Sequence, residues 1–218
     1  MERFLFCLSM LRSRRALIAK YDKQFWKNFK KLSLEKLNTI LPLTPDIGKS
    51  IFSFNYKFGP LYIAWYQSLL ELGLSQTESW EVIWLINEKL LTTFPRFVLR
   101  TMGRSNFYGM KKNAPIHVKR QTNGELHPND WHIEFRPINA SELEIDITEC
   151  GLQKLARQFE CSDLLPGICR LDYLMSNLTG NGFKRTKTLG DGDDCCNGCF
   201  QLHGTCDWAP ERGFADRK

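Results

Sequence analysis

Residues 131–148, WHIEFRPINASELEIDIT, alternate between apolar and polar side chains on both sides of a short connection. The apolar positions are Trp131, Ile133 and Phe135 before the connection and Leu143, Ile145 and Ile147 after it. Because successive side chains of a strand point to opposite faces, this period of two predicts two strands with one apolar face each. The connection from Pro137 to Ser141 is short, so the stretch predicts an antiparallel hairpin.

The region before the hairpin has a different period. Residues 1–104 are predicted to be helical, because their apolar side chains recur at helical spacing. We expect a break at Gly59-Pro60 and a helix that starts at Ser75, which has capping-box spacing to Glu78. This half of the chain therefore predicts a helical region.

The remaining segments complete an α+β chain. Residues 105–130 are rich in Gly, Asn, Pro, Lys and Thr and predict an irregular connection. Residues 131–204 predict a mixed α+β region, with helices at about 151–159 and 168–179 and further strands at Phe183–Leu189 and Cys199–His203. Residues 205–218 predict a loose C-terminal tail. The expected fold is a helical N-terminal half followed by a small, mostly antiparallel sheet with two packed helices.

The charge distribution limits the class of partner. The chain has 218 residues and a formal net charge of +6, and residues 1–50 carry 11 Lys/Arg against four Asp/Glu. This excess predicts a solvated basic helix face, with weak contact to a membrane surface as the alternative. No nucleic-acid partner is expected, because basic residues are not spread over a docking face. The sequence carries no pattern that predicts an oligomeric state.

The N-terminal segment also bears on the compartment. The apolar stretch from Phe4 to Leu11 is too short to span a membrane, and arginines follow it where a signal peptide would be cleaved. We therefore expect a cytoplasmic protein. In that compartment the eight cysteines are expected to be free, metal-bound or catalytic rather than paired in disulfides.

Cys150 is the candidate nucleophile that position in the sequence favours. Cys150 follows the second strand of the hairpin at the entrance to a predicted helix, where backbone N–H groups favour a thiolate. The alternative is that Cys150 is a small buried apolar residue. Cys196 and Cys199 form a single C-x-x-C pair, which could join Cys150 and Cys169 in a site for a divalent metal such as zinc.

Two charged residues complete the candidate site. Asp172 lies three residues after Cys169 on one helix face, among apolar neighbours, so it either caps a group or takes part in chemistry. Arg185 has a guanidinium that can hold a substrate carboxylate through paired hydrogen bonds, or it is an ordinary exposed charge. In a regular strand Thr186 and Thr188 would face away from Arg185, so only one of these sets could line a pocket.

Several other kinds of site are not favoured. No phosphate-binding glycine loop, dinucleotide-binding glycine pattern, G-x-S-x-G or metal-type histidine spacing is present. The sequence therefore gives no support for nucleotide-dependent chemistry or serine hydrolysis.

The order of the motifs resembles the L-2-amino-thiazoline-4-carboxylic acid hydrolase family. The motifs are Glu149-Cys150, Cys169-x-x-Asp172-Tyr173, Arg185-Thr186-x-Thr188-Leu189 and Gly192-Asp193-x-Cys195-Cys196, with Gly59-Pro60-Leu61-Tyr62 and the Trp131 strand upstream. The specific likeness covers residues about 145–200. Where members of the family often end the last motif with Cys-Asp-Phe, this chain has Cys196-Asn197-Gly198-Cys199-Phe200.

The resemblance implies a hydrolase that acts on the carbon–nitrogen or carbon–sulfur bond of a small cyclic amidine carrying a carboxylate. In the reaction that names the family, water adds to the C=N carbon of a thiazoline and the ring C–S bond breaks, giving N-carbamoyl-cysteine. Arg185 would then bind the substrate carboxylate. The thiolate of Cys150 or Cys196 would attack the C=N carbon or activate water through a metal. Asp172 would protonate the ring nitrogen or orient the water.

This hypothesis requires one pocket between the sheet and the last two helices. Its members would be Cys150, Cys169, Asp172, Arg185 and Cys196. The alternative function is a non-enzymatic domain that senses a small ligand or a metal.

Overall fold

The computed structural model describes residues 1–206 as five long helices followed by a small sheet with three shorter helices. The long helices are α1 (Glu2–Lys20), α2 (Lys23–Ile40), α3 (Ser53–Glu71), α4 (Gln76–Leu91) and α5 (Arg96–Thr122). The later elements are β1 (His132–Pro137), β2 (Glu142–Glu149), α6 (Gly151–Gln158), α7 (Leu165–Cys169), α8 (Leu171–Thr179), β3 (Gly182–Arg185) and β4 (Cys196–Gln201). This confirms the predicted α+β fold class.

Side-chain caps explain where two of the long helices begin. The Asp22 carboxylate accepts the backbone N–H of Phe25 at the start of α2. At the start of α4, Ser75 and Glu78 form the predicted capping box, in which each side chain accepts the other residue's backbone N–H. These caps satisfy donors that a helix start otherwise leaves unpaired.

Helix α5 contradicts the irregular connection expected for residues 105–130, because it continues to Thr122. Its buried residues recur at helical spacing and are Leu99, Gly103, Phe107, Ala114 and His117. This face packs against α8 and β1. Pro115 lies inside the helix, where a proline removes one backbone hydrogen bond, and burial of this face offsets that loss. The irregular part of this segment is residues 123–130.

Helix α3 likewise continues through the break expected at Gly59-Pro60. A Cβ at Gly59 would lie 2.7 Å from a methyl group of Leu155. The missing side chain therefore lets α3 approach α6 closely. Packing against α6 holds this segment helical despite its two helix-breaking residues.

The sheet has the strand order β1-β2-β4-β3, and each neighbouring pair is antiparallel. The predicted alternation is present, because Ile133, Leu143 and Ile145 are buried in the core. On the opposite face Arg136 donates to Glu144 and Asp146 at 2.9 and 2.8 Å. The hairpin therefore has one apolar face and one polar face.

The last two strands differ in extent from the expected ones. β3 ends at Arg185 instead of Leu189, and β4 begins at Cys196 instead of Cys199. The expected tail, residues 205–218, lies outside the described residues apart from Thr205 and Cys206, and Cys206 forms an isolated bridge with Phe183.

The basic N-terminal helix packs on α4 and keeps one outer face exposed. Phe6, Met10 and Leu17 are buried, whereas Phe4 and Leu11 are 68% and 64% exposed. Exposed arginines flank these two apolar side chains. Contact between this face and a membrane surface stays a prediction. None of the helices in residues 1–206 has the length and apolar character needed to cross a bilayer.

Candidate active site

The candidate residues come together at one end of the sheet. Because the strands are antiparallel, the end of β2, the start of β4 and the end of β3 lie at this same end. Cys150 follows β2, Arg185 ends β3 and Cys196 begins β4. Cys169 ends α7, and Asp172 lies in the first turn of α8.

Electrostatic interactions link these five side chains. The Cys169 thiol interacts with Arg185, Cys196 and Cys150, and Cys196 interacts with Arg185 and Asp172. Cys150 also interacts with Cys196. The structure therefore brings these five residues together, and their assignment to one substrate pocket stays a prediction.

Cys150 is the N-cap residue of α6, as its position in the sequence predicted. Gly151 makes this arrangement possible, because a Cβ there would lie 2.5 Å from the Asn129 carbonyl oxygen and 2.7 Å from the Trp131 ring. The start of α6 therefore sits directly on Trp131. The Trp131 indole is buried. The backbone carbonyl of Trp131 accepts a hydrogen bond from buried His117 at 2.9 Å.

The expectation of a low pKa for Cys150 is wrong. Burial raises the pKa of the Cys150 thiol to about 11, although the backbone N–H groups of Leu152 and Gln153 and the Trp131 side chain favour the thiolate. The thiol does not cap the helix by a hydrogen bond of its own. The helix start therefore stabilises the Cys150 thiolate only in part, and desolvation has the larger effect on the pKa of the thiol.

Asp172 and Arg185 form an ion pair in the centre of the site. Arg185 Nη1 donates to Asp172 Oδ2 at 3.0 Å, and Nη2 donates to the Cys169 carbonyl at 2.9 Å. The Tyr173 and Phe183 rings lie 5.3 and 5.4 Å from the guanidinium carbon. The Arg185 side chain is 4% exposed and that of Asp172 is 47% exposed. The carboxylate is therefore the member of the pair that solvent or a ligand reaches.

The pKa of Asp172 is raised by desolvation of its half-buried carboxyl group, and the Arg185 guanidinium opposes that change. Substrate binding by Arg185 stays a prediction. In the folded chain its two terminal nitrogens already donate to protein groups. A substrate carboxylate would have to compete with Asp172 for them.

The two threonines do not behave as a regular strand would require. Because β3 ends at Arg185, the chain turns and Thr188 returns to the side of Arg185. Thr188 is fully buried, and its Oγ1 lies 3.4 Å from Cys196 Sγ. Thr186 is exposed and hydrogen-bonded to Asn197. The expectation that Arg185 and Thr188 face opposite sides is therefore wrong.

Cys196 has the most polar surroundings of the three clustered thiols. Its sulfur accepts the backbone N–H of Leu189 at 3.2 Å and shares a hydrogen bond with the Thr188 hydroxyl. Burial raises the pKa of Cys196, while the Thr188 hydroxyl, the Leu189 N–H and the Arg185 guanidinium all oppose the increase. Fewer groups favour the thiolate of Cys169, and burial raises the pKa of that thiol to about 12. Cys196 is therefore the thiol whose thiolate the site supports best.

A buried ion pair fixes the loop that carries Leu189. The Asp191 carboxylate accepts hydrogen bonds from Arg170 Nη1 and Nη2 at 3.1 and 3.2 Å, and both side chains are at most 3% exposed. Gly190 lies against the Cys169 sulfur, where a Cβ would be only 2.7 Å away. The sequence analysis did not identify this pair. In the sequence, Arg170 lies within the Cys169-x-x-Asp172 motif and Asp191 directly precedes Gly192, and nothing there indicates that they pair.

The predicted metal site is wrong, because Cys150, Cys169, Cys196 and Cys199 do not form one set of ligands. Cys196 and Cys199 are three residues apart in β4, so their side chains point to opposite faces of the sheet. Cys199 Sγ donates to Glu142 Oε1 at 3.1 Å, on the polar face. Nowhere in residues 1–206 do three His, Cys, Asp or Glu side chains have a geometry that could hold a metal ion.

An open cleft of about 390 Å³ lies beside Cys150. Its walls come from the end of β2, one face of α6 and the loop after β3, and they include Thr148, Glu149, Cys150, Gln153, Lys154, Arg157, Leu189, Gly192 and Asp193. Of the three clustered thiols, Cys150 lines the cleft, and Cys196 is linked to the cleft wall through the Leu189 backbone.

The raised pKa of Cys150 leads to a prediction for thiol labelling. Because the thiolate is the reactive form, iodoacetamide is expected to label exposed Cys7 before Cys150 at pH 8. The labelling rate of Cys150 should keep rising as the pH approaches about 11. Mass spectrometry of the two peptides over a pH series measures both rates. Labelling of Cys150 ahead of Cys7 below pH 8 would contradict the effect of burial.

Comparison with known proteins agrees with the motifs. No curated protein matches the chain. The family described as L-2-amino-thiazoline-4-carboxylic acid hydrolase matches residues 79–200. This range runs from α4 to β4 and contains the clustered thiols, the Asp172–Arg185 pair and the cleft. Since the match covers more than half of the chain, this protein belongs to the L-2-amino-thiazoline-4-carboxylic acid hydrolase family.

Proposed function

We propose that this protein hydrolyses a small cyclic amidine that carries a carboxylate, and that Cys196 is the nucleophile. The observation that carries the proposal is the setting of Cys196. Its sulfur receives the Leu189 N–H at 3.2 Å and interacts with both members of the Asp172–Arg185 pair. A nucleophile, a base and a group that orients the base are the parts that thiol catalysis requires.

Asp172 acts as the base in this proposal. Its pKa is raised by burial, so it accepts a proton more readily than an ordinary aspartate does. Arg185 holds the Asp172 carboxylate in position and favours the negative charge on Cys196 when the thiol loses its proton. Arg185 therefore acts through these two residues rather than on the substrate.

The reaction begins with transfer of the Cys196 proton to Asp172. The thiolate attacks the C=N carbon, and the ring nitrogen takes the proton back from Asp172. The ring C–S bond then breaks as the lone pair of the exocyclic nitrogen forms a new C=N bond, and the ring sulfur leaves as a thiol with a proton from that nitrogen. The product remains joined to Cys196 as an isothiourea.

Water completes the reaction. It adds to the same carbon, and Asp172 takes a proton from it. The bond to Cys196 breaks, and the Cys196 sulfur recovers that proton from Asp172. The released product has gained one water and carries both a urea group and a free thiol. Cys150 keeps its proton in this scheme, because burial raises its pKa to about 11, and it forms part of the pocket wall.

The proposal predicts that the purified full-length chain converts L-2-amino-thiazoline-4-carboxylate to a product with a new free thiol. Thiol release should depend linearly on enzyme concentration, and the product mass should equal that of the substrate plus one water. Heat-treated protein serves as the blank. Binding of the compound without thiol release would contradict the hydrolase and favour a domain that senses a small ligand.

A further inference from the structure

Judged by contacts within residues 1–206, the cleft beside Cys150 has one cation without a protein partner. We infer that this cation, Arg157, receives the carboxylate of the substrate, an inference that rests on the proposed function. Within residues 1–206 the Arg157 side chain makes no hydrogen bond and no ion pair, and the residue is exposed. An arginine can hold a carboxylate through two parallel hydrogen bonds.

Lys154, the other cation that lines the cleft, and Arg185 of the thiol cluster already have protein partners. Lys154 Nζ binds Glu149 at 2.6 Å and the carbonyl oxygens of Pro128 and Asp130 at 2.7 and 3.0 Å. Arg185 is buried and donates to protein groups from both terminal nitrogens. A carboxylate that enters the cleft would therefore meet Arg157 without displacing a protein contact.

The acidic side chains of the cleft are also engaged. Glu149 is paired with Lys154 and lies 3.2 Å from His132 Nδ1. The Asp193 carboxylate accepts the backbone N–H of Thr188 at 2.8 Å. Both carboxylates thus have partners of their own, and Arg157 is the side chain of the cleft whose charge no described group balances.

Helix geometry places Arg157 at a useful distance from the thiols. Cys150, Gln153 and Arg157 recur at spacings of three and four residues, so they follow one face of α6, and all three line the cleft. Seven residues span ~10 Å of helix, and the side chain leans back toward the helix start. A small ring placed between Arg157 and the thiol cluster would have its carboxylate at one end and its C=N carbon at the other.

The test uses a ligand without a C=N bond, so that binding is measured apart from turnover. Calorimetry compares thiazolidine-4-carboxylate with thiazolidine on the full-length chain. The wild type is expected to prefer the carboxylate by about 10- to 100-fold, as is typical for a charge-assisted hydrogen-bonded pair. Arg157→Gln should lose this preference while its affinity for thiazolidine stays unchanged. Arg157→Lys should retain part of it.

Arg104→Gln is the matched control, because Arg104 is an exposed arginine on α5, away from the cleft. It should keep the full preference. The inference is overturned if the wild type shows no preference for the carboxylate, or if Arg157→Gln keeps that preference. Loss of the preference in Arg185→Lys but not in Arg157→Gln would assign the carboxylate to Arg185 instead. If the wild type shows the preference and Arg157→Gln loses it, but L-2-amino-thiazoline-4-carboxylate is not hydrolysed, the hydrolase proposal fails and the carboxylate site stands.

Discussion

Cys196→Ser is expected to lower kcat/KM for L-2-amino-thiazoline-4-carboxylate by at least about 1000-fold, as removal of a catalytic nucleophile commonly does. A serine hydroxyl is a much weaker acid than a thiol, and Asp172 would not generate its anion at neutral pH. The Leu189 N–H and the Thr188 hydroxyl can still bind the serine oxygen, so the fold should be retained. Thiol release measured against enzyme concentration gives the rate, and an unchanged melting temperature establishes folding.

Two other cysteines serve as comparisons. Cys199→Ser is the matched control, because Cys199 lies on the polar face of the same strand and should keep wild-type activity. Cys150→Ser is expected to lose less than about 10-fold, since Cys150 only lines the pocket in this mechanism. If Cys150→Ser abolished turnover and Cys196→Ser did not, the two thiols would have to exchange roles.

Asp191→Ala is expected to destabilise the chain by about 3–5 kcal/mol, the usual effect of removing one partner of a buried ion pair. The change leaves the Arg170 guanidinium in the interior without this carboxylate. For a chain of this size the melting temperature should fall by roughly 6–20 °C. Thermal unfolding followed by circular dichroism measures the shift.

Asp194→Ala provides the comparison for this second prediction. Asp194 pairs with Lys187 at 3.0 Å on the surface, three residues after Asp191. Exposed ion pairs contribute little to stability, so its melting temperature should stay close to that of the wild type. Equal effects of the two changes would show that Arg170 and Asp191 do not anchor the loop.

The hairpin could be predicted because its information is local. The alternation in residues 131–148 depends only on neighbouring side chains, and Ile133, Leu143 and Ile145 are indeed buried. Helix α5 could not be predicted in full, since composition suggested an irregular segment. Its helical conformation depends on packing against α8 and β1, which are distant in sequence.

The candidate site shows the same division between local and distant information. Motif order identified the residues that meet, because each lies at the end of an element. It did not give the pKa of Cys150, because that depends on how completely the folded chain surrounds the thiol. Nor did it give the Arg170–Asp191 pair or the Arg157 guanidinium, which has no partner in the part of the chain that the structure describes. Those assignments require knowing which side chains already have partners.

The position of β4 also bears on the order in which the site is assembled. β4 lies between β2 and β3, so it joins a hairpin formed by neighbouring residues to a strand that follows α8. Cys150 belongs to the first of these parts, and Asp172 and Arg185 belong to the second. During synthesis both parts emerge before β4, and its insertion is a long-range pairing that proceeds slowly. Cys196, the proposed nucleophile, thus arrives with the strand that closes the sheet, and an incompletely folded chain would lack the assembled candidate site.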